Sequence, residues 1–492
     1  MSKVCQKVIV VGGGNAALCA AISARLAGAD VVVFERAPVA LAGGNSRFTA
    51  GAMRTVYNGL DDIVRLMPEL TAAERGRNDF GSYSREDFLG DLGRVTQYRC
   101  DPDLADRLVS DSLPTLQWMR EQGVRFLPLY GRQSFEVDGR VRFWGGLVVE
   151  AWGGGPGLIE SLTRRATTLG VDIRYGHRVR ALLGSAAQVT GVRVEYENVI
   201  ENCAADAVIL ASGGFEANTA WRTRYLGAGW DLAKVRGTRF NTGDGIEMAS
   251  TLGAAVRGQF SGCHAVQWDA NAPEYGDLAV GDGFQKHSYP FGLMINLNGE
   301  RFVDEGADFR NFTYARYGQE VLRQPAQIAW QIFDAKCDNL LRDEYRIRQV
   351  SRVTADSLPA LAARMEGLNV TNFSSTIEAY NKAVKTQVTF NPTIRDGRGT
   401  SGISPPKSNW AQTLDTPPFS AYQVGCGITF TFGGLHVDAN TRVLAQDGKP
   451  IKGLFAAGEL VGGLFYFNYP GGSGLTSGAV FGRLAGALAA EQ

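Results

Sequence analysis

The chain is poor in the residues that build metal, haem or disulfide sites. Its seven cysteines stand at positions 5, 19, 100, 203, 263, 337 and 426, with no CxxC or CxxCH among them. That scatter excludes a zinc knuckle and a haem or cluster attachment motif. The odd number argues against a disulfide framework, so reduced thiols, a cytoplasmic location and no metal are expected. Net charge is also missing, since Lys+Arg and Asp+Glu both number 50. No overall field draws in nucleic acid or an anionic membrane. No long apolar run is present either: residues 475–490 are apolar but short, and Arg483 interrupts them, too little for a membrane span. Residues 1–7 carry no apolar signal region and no cleavage site.

Glycine, in contrast, is abundant, with 61 in 492 residues against an ordinary share of ~7%. These glycines sit in short runs inside apolar segments, where backbone turns tightly or approaches a ligand. Hydrophobic residues at 45% and charged residues at 20% are those of a globular protein, and the length allows two or three domains. β-branched runs predict strands over 7–11, 30–35, 171–175, 192–196 and 207–211, and helical spacing predicts helices over 15–27, 85–123, 158–169, 357–365 and 375–384. Residues 261–418 are richer in aromatics and charges, and the chain becomes Gly-rich again from 417. This pattern predicts an α/β protein: a Rossmann-like nucleotide-binding domain built from 1–257 and 419–492, with an α+β capping domain inserted over 258–418. A serial arrangement of domains is the alternative.

Gly12-x-Gly14-x-x-Ala17 follows the first strand and opens the first helix, the context a dinucleotide fingerprint needs. The glycines permit close approach of a pyrophosphate, and the helix start at Asn15 and Ala16 faces that anion with free N–H groups. Ala17 is small enough for the helix to pack on the sheet. Glu35, followed by Arg36, ends the second strand where an acidic residue meets ribose hydroxyls. NAD and FAD both use such a unit. Gly43-Gly44-Asn45-Ser46 and Ala50-Gly51 offer amides and flat, small surface to a phosphate or a ring, and Gly213 follows the 207–211 strand. Gly458-Glu459 ends a late strand, and Pro470-Gly-Gly-Ser-Gly474, followed by Leu475, opens a final helix. A second helix N-terminus there favours negative charge on a reduced flavin. Each feature alone reads as a turn or cap; together they favour FAD.

The stretches VIVVGGGNAALCAAISARLAGADVVVFER, AGGNSRFTAGAM, VILASGGF, NTGDGI, NLNGERFVDE and GLFAAGELVGG resemble the fumarate reductase/succinate dehydrogenase flavoprotein superfamily over nearly the whole chain. Within it, GGNSRFTAGAMR, FRNFTYARYG and FNYPGGSGLTSGAVFGRLAG are most similar to the tricarballylate dehydrogenase branch. The resemblance implies an FAD domain and a cap with substrate between them. It implies Glu35 on the adenosine ribose, the backbone near Val179 on adenine, and Asn45, Ser46, Ala50 and Gly51 along the flavin. Asp244, Glu459, Gly474 and Leu475 are implied to meet the cofactor too. Members with covalent FAD carry a His just before the GG pair; residues 39–43 here are Val-Ala-Leu-Ala-Gly, so noncovalent FAD is expected.

The reaction shared by the superfamily moves a hydride between a carbon and flavin N5 and a proton at the adjacent carbon. Arg310 resembles the proton-shuttling Arg of the fumarate-reducing members, one residue further from the Asn298–Glu305 motif than in those relatives; a salt bridge to Asp304, Glu305 or Asp308 is the alternative. His264 resembles a substrate-binding His, with a core His as its rival, and His287 is similarly placed. Two departures stand out. Phe430 precedes Thr431-Phe-Gly-Gly434 where fumarate reductases have a His, and Tyr469 stands where they have a carboxylate-binding Arg. Tyr-Pro-Gly also occurs in 3-ketosteroid dehydrogenases, which points to Tyr469 and Tyr289 as polarising and proton-accepting residues; a buried, hydrogen-bonded Tyr is the plain alternative for each. Three functions are therefore open: a dehydrogenase of a small, tricarballylate-like carboxylate, a ketone α,β-desaturase, and a flavin-binding subunit without turnover. Either enzyme needs an external electron acceptor, such as a partner protein, a quinone-linked subunit or oxygen.

Overall fold

The computed structural model describes residues 6–492; residues 1–5, with Cys5 and the start of the N-terminal segment read above, lie outside the described residues. Six strands form the first sheet: β1 (Lys7–Val11), β2 (Asp30–Glu35), β3 (Asp172–Tyr175), β4 (Ala207–Leu210), β5 (Arg442–Leu444) and β6 (Pro450–Ala456). Their order is β5-β6-β4-β1-β2-β3, parallel throughout except β5 against β6. Val8 faces Ala207 on one side and Val31 on the other. Both faces of the sheet are covered, so the central strands are continuous apolar runs, with Val8, Ile9 and Val10 fully buried.

Helix α1 (Asn15–Leu26) packs on this sheet against α2 (Ser473–Ala489). Small residues allow near contact of the two backbones. A Cβ at Gly482 would lie 2.3 Å from the Ala16 carbonyl oxygen, and one at Gly486 would lie 2.1 Å from that of Ala20. The two ends of the chain thus close one domain, in the expected Rossmann-like α/β architecture. The helical spacing over 85–123 resolves into two helices, Arg85–Val95 and Pro102–Glu121. The second is opened by Asp101, whose carboxylate accepts from the amides of Asp103 and Leu104. The other expected helices are Gly154–Thr168, Leu358–Ala362 and Val370–Ala383.

A second, mixed sheet forms the cap. Its centre is the long strand Phe419–Thr431, which pairs with Lys234–Val235, Cys263–Asp269, Ala329–Phe333 and Arg352–Ala355; Leu293–Asn296 pairs with Ala329–Phe333. This corrects the expected return to the first domain at residue 419. The chain stays hydrogen-bonded into the cap through Thr431, because Ala421, Val424 and Ile428 bury against that sheet. Phe419–Thr431 therefore runs from the far end of the cap to the junction of the two sheets. Among the described residues no helix is long and apolar enough to cross a membrane, six cysteines are free, and no group of three or more His, Cys, Asp or Glu is placed to hold a metal.

Candidate active site

A single long cavity of about 1910 Å³ of non-atom space, its mouth included, runs from the Gly12 turn to Arg310. Its lining is continuous from the dinucleotide turn to the arginines, so a cofactor and a substrate would lie end to end in one site. It begins at the carboxyl ends of β1 and β4, the switch point of the parallel sheet. Gly12 has φ +115°, donates its amide to the Phe34 carbonyl at 2.9 Å, and leaves no room for a Cβ, which would stand 2.3 Å from the Ala211 carbonyl oxygen. Only glycine turns here.

Glu35 lies beside this turn, buried, accepting from the Ala37 amide at 2.7 Å. Burial pushes its carboxyl up, while the Ala37 and Gly13 amides pull it back. Farther along, Asp244 accepts from Arg178 at 2.7 Å and from Arg36 at 3.3 Å. Burial acts to raise the Asp244 carboxyl, but the Thr242 hydroxyl and the two arginines hold it below the usual carboxylate range.

The residues at this end fit FAD. Neither α1 nor α2 has a side-chain N-cap, and both begin at the cavity, so two helix N-termini aim at its contents. Ser212 Oγ is buried there without a hydrogen-bond partner. A Cβ on Gly14 or Gly474 would meet its nearest neighbours only at 3.6 and 3.7 Å, which leaves a smooth cradle. The expected cofactor residues line the cavity with two exceptions. Ala17, within α1, is fully buried, and Gly51 turns away against Gly154, whose carbonyl carbon a Cβ would meet at 2.8 Å. Asn45 lines the cavity, but its side chain is held by protein: Nδ2 donates to Glu216 Oε1 and the Thr429 carbonyl, both at 2.6 Å, and Oδ1 accepts from the Thr238 amide.

The sequence pattern also proposes Phe430 and Thr431 as substrate-binding residues; both line the cavity, and Thr431 braces Glu459, donating to Glu459 Oε1 from its amide at 2.9 Å. Glu216 lies beside Glu459. Burial and Glu459 push the Glu216 carboxyl well up, and burial raises Glu459. Glu216 Oε1 accepts from Asn45 and from Asn241 at 2.7 Å.

At the far end, three guanidinium groups line the cavity, those of Arg132, Arg236 and Arg310, against one carboxylate, Asp282. Asp282 accepts from Arg236 Nε at 2.7 Å and from Arg132 Nη1 at 2.9 Å. Arg310 has no carboxylate. Its Nη1 meets His287 Nδ1 at 3.2 Å, its Nη2 donates to the Arg132 carbonyl at 2.8 Å and to Gln133 Oε1 at 3.0 Å, and its Nε is buried without a partner. The alternative of a salt bridge is thereby corrected. Asp304 binds Ser408, Glu305 binds Arg301 and Asp308 binds Arg94. Burial, then the neighbouring Arg132, lowers Arg310 from the ordinary arginine range.

His264 is buried in this chamber, and neither ring nitrogen has a hydrogen-bond partner. The rings of Tyr314, Phe430 and Tyr469 surround it at 4.9, 5.2 and 4.9 Å. Burial and Arg236 hold the imidazole well below its usual range, so it is neutral. The Tyr314 and Tyr469 hydroxyls are hydrogen-bonded to each other. Tyr289 is the expectation that fails: its hydroxyl is paired with Thr313 Oγ1 at 2.6 Å, its ring packs on Tyr317 and it does not line the cavity. Arg132, Arg236, Asp282, Tyr314 and Glu216 are the site residues that sequence reading passed over. Only Tyr314 lay within a quoted motif, FRNFTYARYG.

Just behind Arg132, burial raises the Glu150 carboxyl to about 7, partly offset by that arginine. A carboxyl raised in the folded state destabilises the fold increasingly as pH climbs from its ordinary value of 4.5 to about 7. Glu150→Gln removes the penalty. Thermal unfolding is expected to match wild type near pH 5 and to show the variant more stable at pH 8, by on the order of 1–3 kcal/mol.

Comparison with known proteins agrees with this geometry. The chain is 28% identical, over 99% of its length and 75% of the relative's, to the probable fumarate reductase Ifc3 of Shewanella frigidimarina (strain NCIMB 400). It is 28% identical, over 99% of its length and 93% of the relative's, to the 4-oxocyclohexanecarboxylate 2-dehydrogenase of Sinomonas cyclohexanicum. Among solved structures, the open conformation of a flavocytochrome c3 fumarate reductase superposes with a TM-score of 0.72 at 26% identity, covering 99% of this chain and 78% of that one. The family model described as FAD binding domain matches residues 7–475, and the chain belongs to that family, as an FAD-dependent oxidoreductase acting on carbon–carbon bonds within the fumarate reductase/succinate dehydrogenase flavoprotein superfamily.

Proposed function

We propose that this protein dehydrogenates a CH–CH bond next to a carboxylate in a small polyanionic substrate of the tricarballylate kind. One observation carries the reading: three lining guanidiniums face a single carboxylate at the far end of the cavity. An excess of partly buried cation is unfavourable alone and is relieved by an anionic ligand. FAD, held noncovalently, supplies the hydride acceptor. The chain's residues do the rest. Arg132 and Arg236, oriented by Asp282, attract the substrate carboxylates. Withdrawal of charge into those contacts acidifies the neighbouring C–H. Arg310 is the proton acceptor: it is half-buried, it has no anion partner, and desolvation and then the Arg132 charge make its guanidinium easier to deprotonate. Neutral His264 and the Tyr314–Tyr469 pair supply uncharged donors for the remaining oxygens.

That same hydroxyl pair supports a second reading, desaturation next to a ring ketone, with Tyr469 or Tyr314 polarising the carbonyl. The similarity to a dehydrogenase whose named substrate is both a ketone and a carboxylate is compatible with either. Electrons leave to an external acceptor, and free cysteines suit a reducing, cytoplasmic setting. With an artificial dye as acceptor, tricarballylate is expected to turn over and its trimethyl ester to lose at least about tenfold in kcat/KM; an ester or a neutral cyclic ketone as good as the acid would refute the carboxylate reading.

A further inference from the structure

A proton taken from the substrate by Arg310 has to leave the substrate chamber before the next turnover. Three polar groups touch the Arg310 guanidinium: the Arg132 carbonyl oxygen, the Gln133 amide oxygen and the His287 imidazole. The first two only accept hydrogen bonds. Imidazole alone takes up a proton at one nitrogen and releases one from the other.

His287, buried, and Arg310, half-buried, both line two cavities, the substrate chamber and a smaller one walled also by Trp144, Phe309, Arg342 and Trp410, so direct release from Arg310 to the second cavity is the competing route that wild-type rates in His287 variants would reveal. The second cavity measures about 20 Å³, room for a water molecule. Arg342, half-buried, is among its lining residues. His287 Nδ1 faces Arg310, and His287 Nε2 is buried with no hydrogen-bond partner. An unpartnered imidazole nitrogen here is costly unless water or a transferred proton meets it.

We propose that His287 is a positioning and proton-relay residue that connects Arg310 to water in the second cavity. The inference rests on the reading of Arg310 as proton acceptor. A proton passes from Arg310 Nη1 to His287 Nδ1 as the proton on His287 Nε2 passes to water. No electrons move, charge is conserved, and Arg310 returns to its neutral form. The charged and titratable groups around the ring are Arg310, Arg236, Arg132 and His264, with the Tyr314 ring at 4.9 Å and Arg342 across the second cavity. Burial, together with the Arg236 and Arg132 charges, keeps His287 neutral at rest.

The test compares FAD-loaded wild type, His287→Asn, His287→Gln and Arg310→Ala, with tricarballylate as substrate. Both His287 variants are expected to lose about 100-fold in kcat with KM changed less than about threefold. Part of the rate returns with added imidazole, and the pH profile of kcat loses one ionisation. Tricarballylate binding, read as the perturbation of flavin absorbance, stays within about threefold of wild type. If Arg310→Ala is inactive while the His287 variants keep the wild-type rate and pH profile, or lose rate with no imidazole rescue and an unchanged profile, the relay is overturned and the Arg310 assignment stands. Wild-type activity in Arg310→Ala, or a wild-type flavin that no carboxylate reduces, removes the parent reading and the relay with it.

Discussion

Arg310→Ala is expected to lower kcat by about a thousandfold or more while FAD remains bound. General-base catalysis contributes roughly 10²–10⁴-fold, and Arg310 stands to lose that and a share of the chamber's cationic field. The cofactor's grip lies elsewhere, in the Gly12 turn, Glu35 and the starts of α1 and α2. Flavin content after purification and the visible flavin spectrum therefore stay as in wild type. Arg310→Lys restores charge but not the planar fork that reaches His287, Gln133 and the Arg132 carbonyl together, so it recovers only a small part of the rate. A normal rate in Arg310→Ala would end the proton-acceptor assignment.

Asp282→Ala is expected to be the most damaging single change to stability near the substrate. Asp282 is the one carboxylate lining the cavity beside Arg132, Arg236 and Arg310, and both it and Arg236 are buried. Removing one partner of a buried ion pair costs about 3–5 kcal/mol, because the other charge is left uncompensated, whereas replacing both partners with apolar groups is often neutral. Chemical denaturation should thus show a large loss for Asp282→Ala and recovery of most of it in Asp282→Ala/Arg236→Met. The double variant still loses substrate affinity, seen as a rise in KM for tricarballylate, since a carboxylate-binding cation is gone. Equal stability of Asp282→Ala and wild type would contradict the account of the chamber's electrostatics.

The cofactor end of the site was legible in the sequence because its chemistry is local. Gly12, Gly14 and Glu35 fall within one βαβ unit, and backbone geometry demands glycine at Gly12. The α1–α2 contact was less visible, although the glycines of the last helix allow it. The substrate end resisted reading because it is assembled from distant segments. Arg132 sits in a short helical turn, Arg236 just after a two-residue strand and Asp282 in another short turn. Nothing about such residues in sequence separates a cavity-lining arginine from a solvated one. Tyr289 failed for a related reason: Ser-Tyr-Pro beside His287 looks like a site, but the 3₁₀ turn Tyr289–Phe291 directs the tyrosine hydroxyl to Thr313, and Tyr314 from the next helix takes the place beside Tyr469. The domain boundary at 419 was misread because strand Phe419–Thr431 is as Gly-rich and apolar as the returning domain, and only its pairing partners assign it to the cap.

The central claim is that the cationic chamber presents a carboxylate-bearing CH–CH bond to the cofactor. Anaerobic mixing of the FAD-loaded protein with tricarballylate tests it most directly, in the absence of any electron acceptor. The account predicts that the visible flavin absorbance bleaches in one exponential phase whose rate saturates with tricarballylate, and that Arg310→Ala abolishes the bleaching. Flavin that stays oxidised with tricarballylate and with every other carboxylate, yet bleaches with a neutral cyclic ketone, would contradict it.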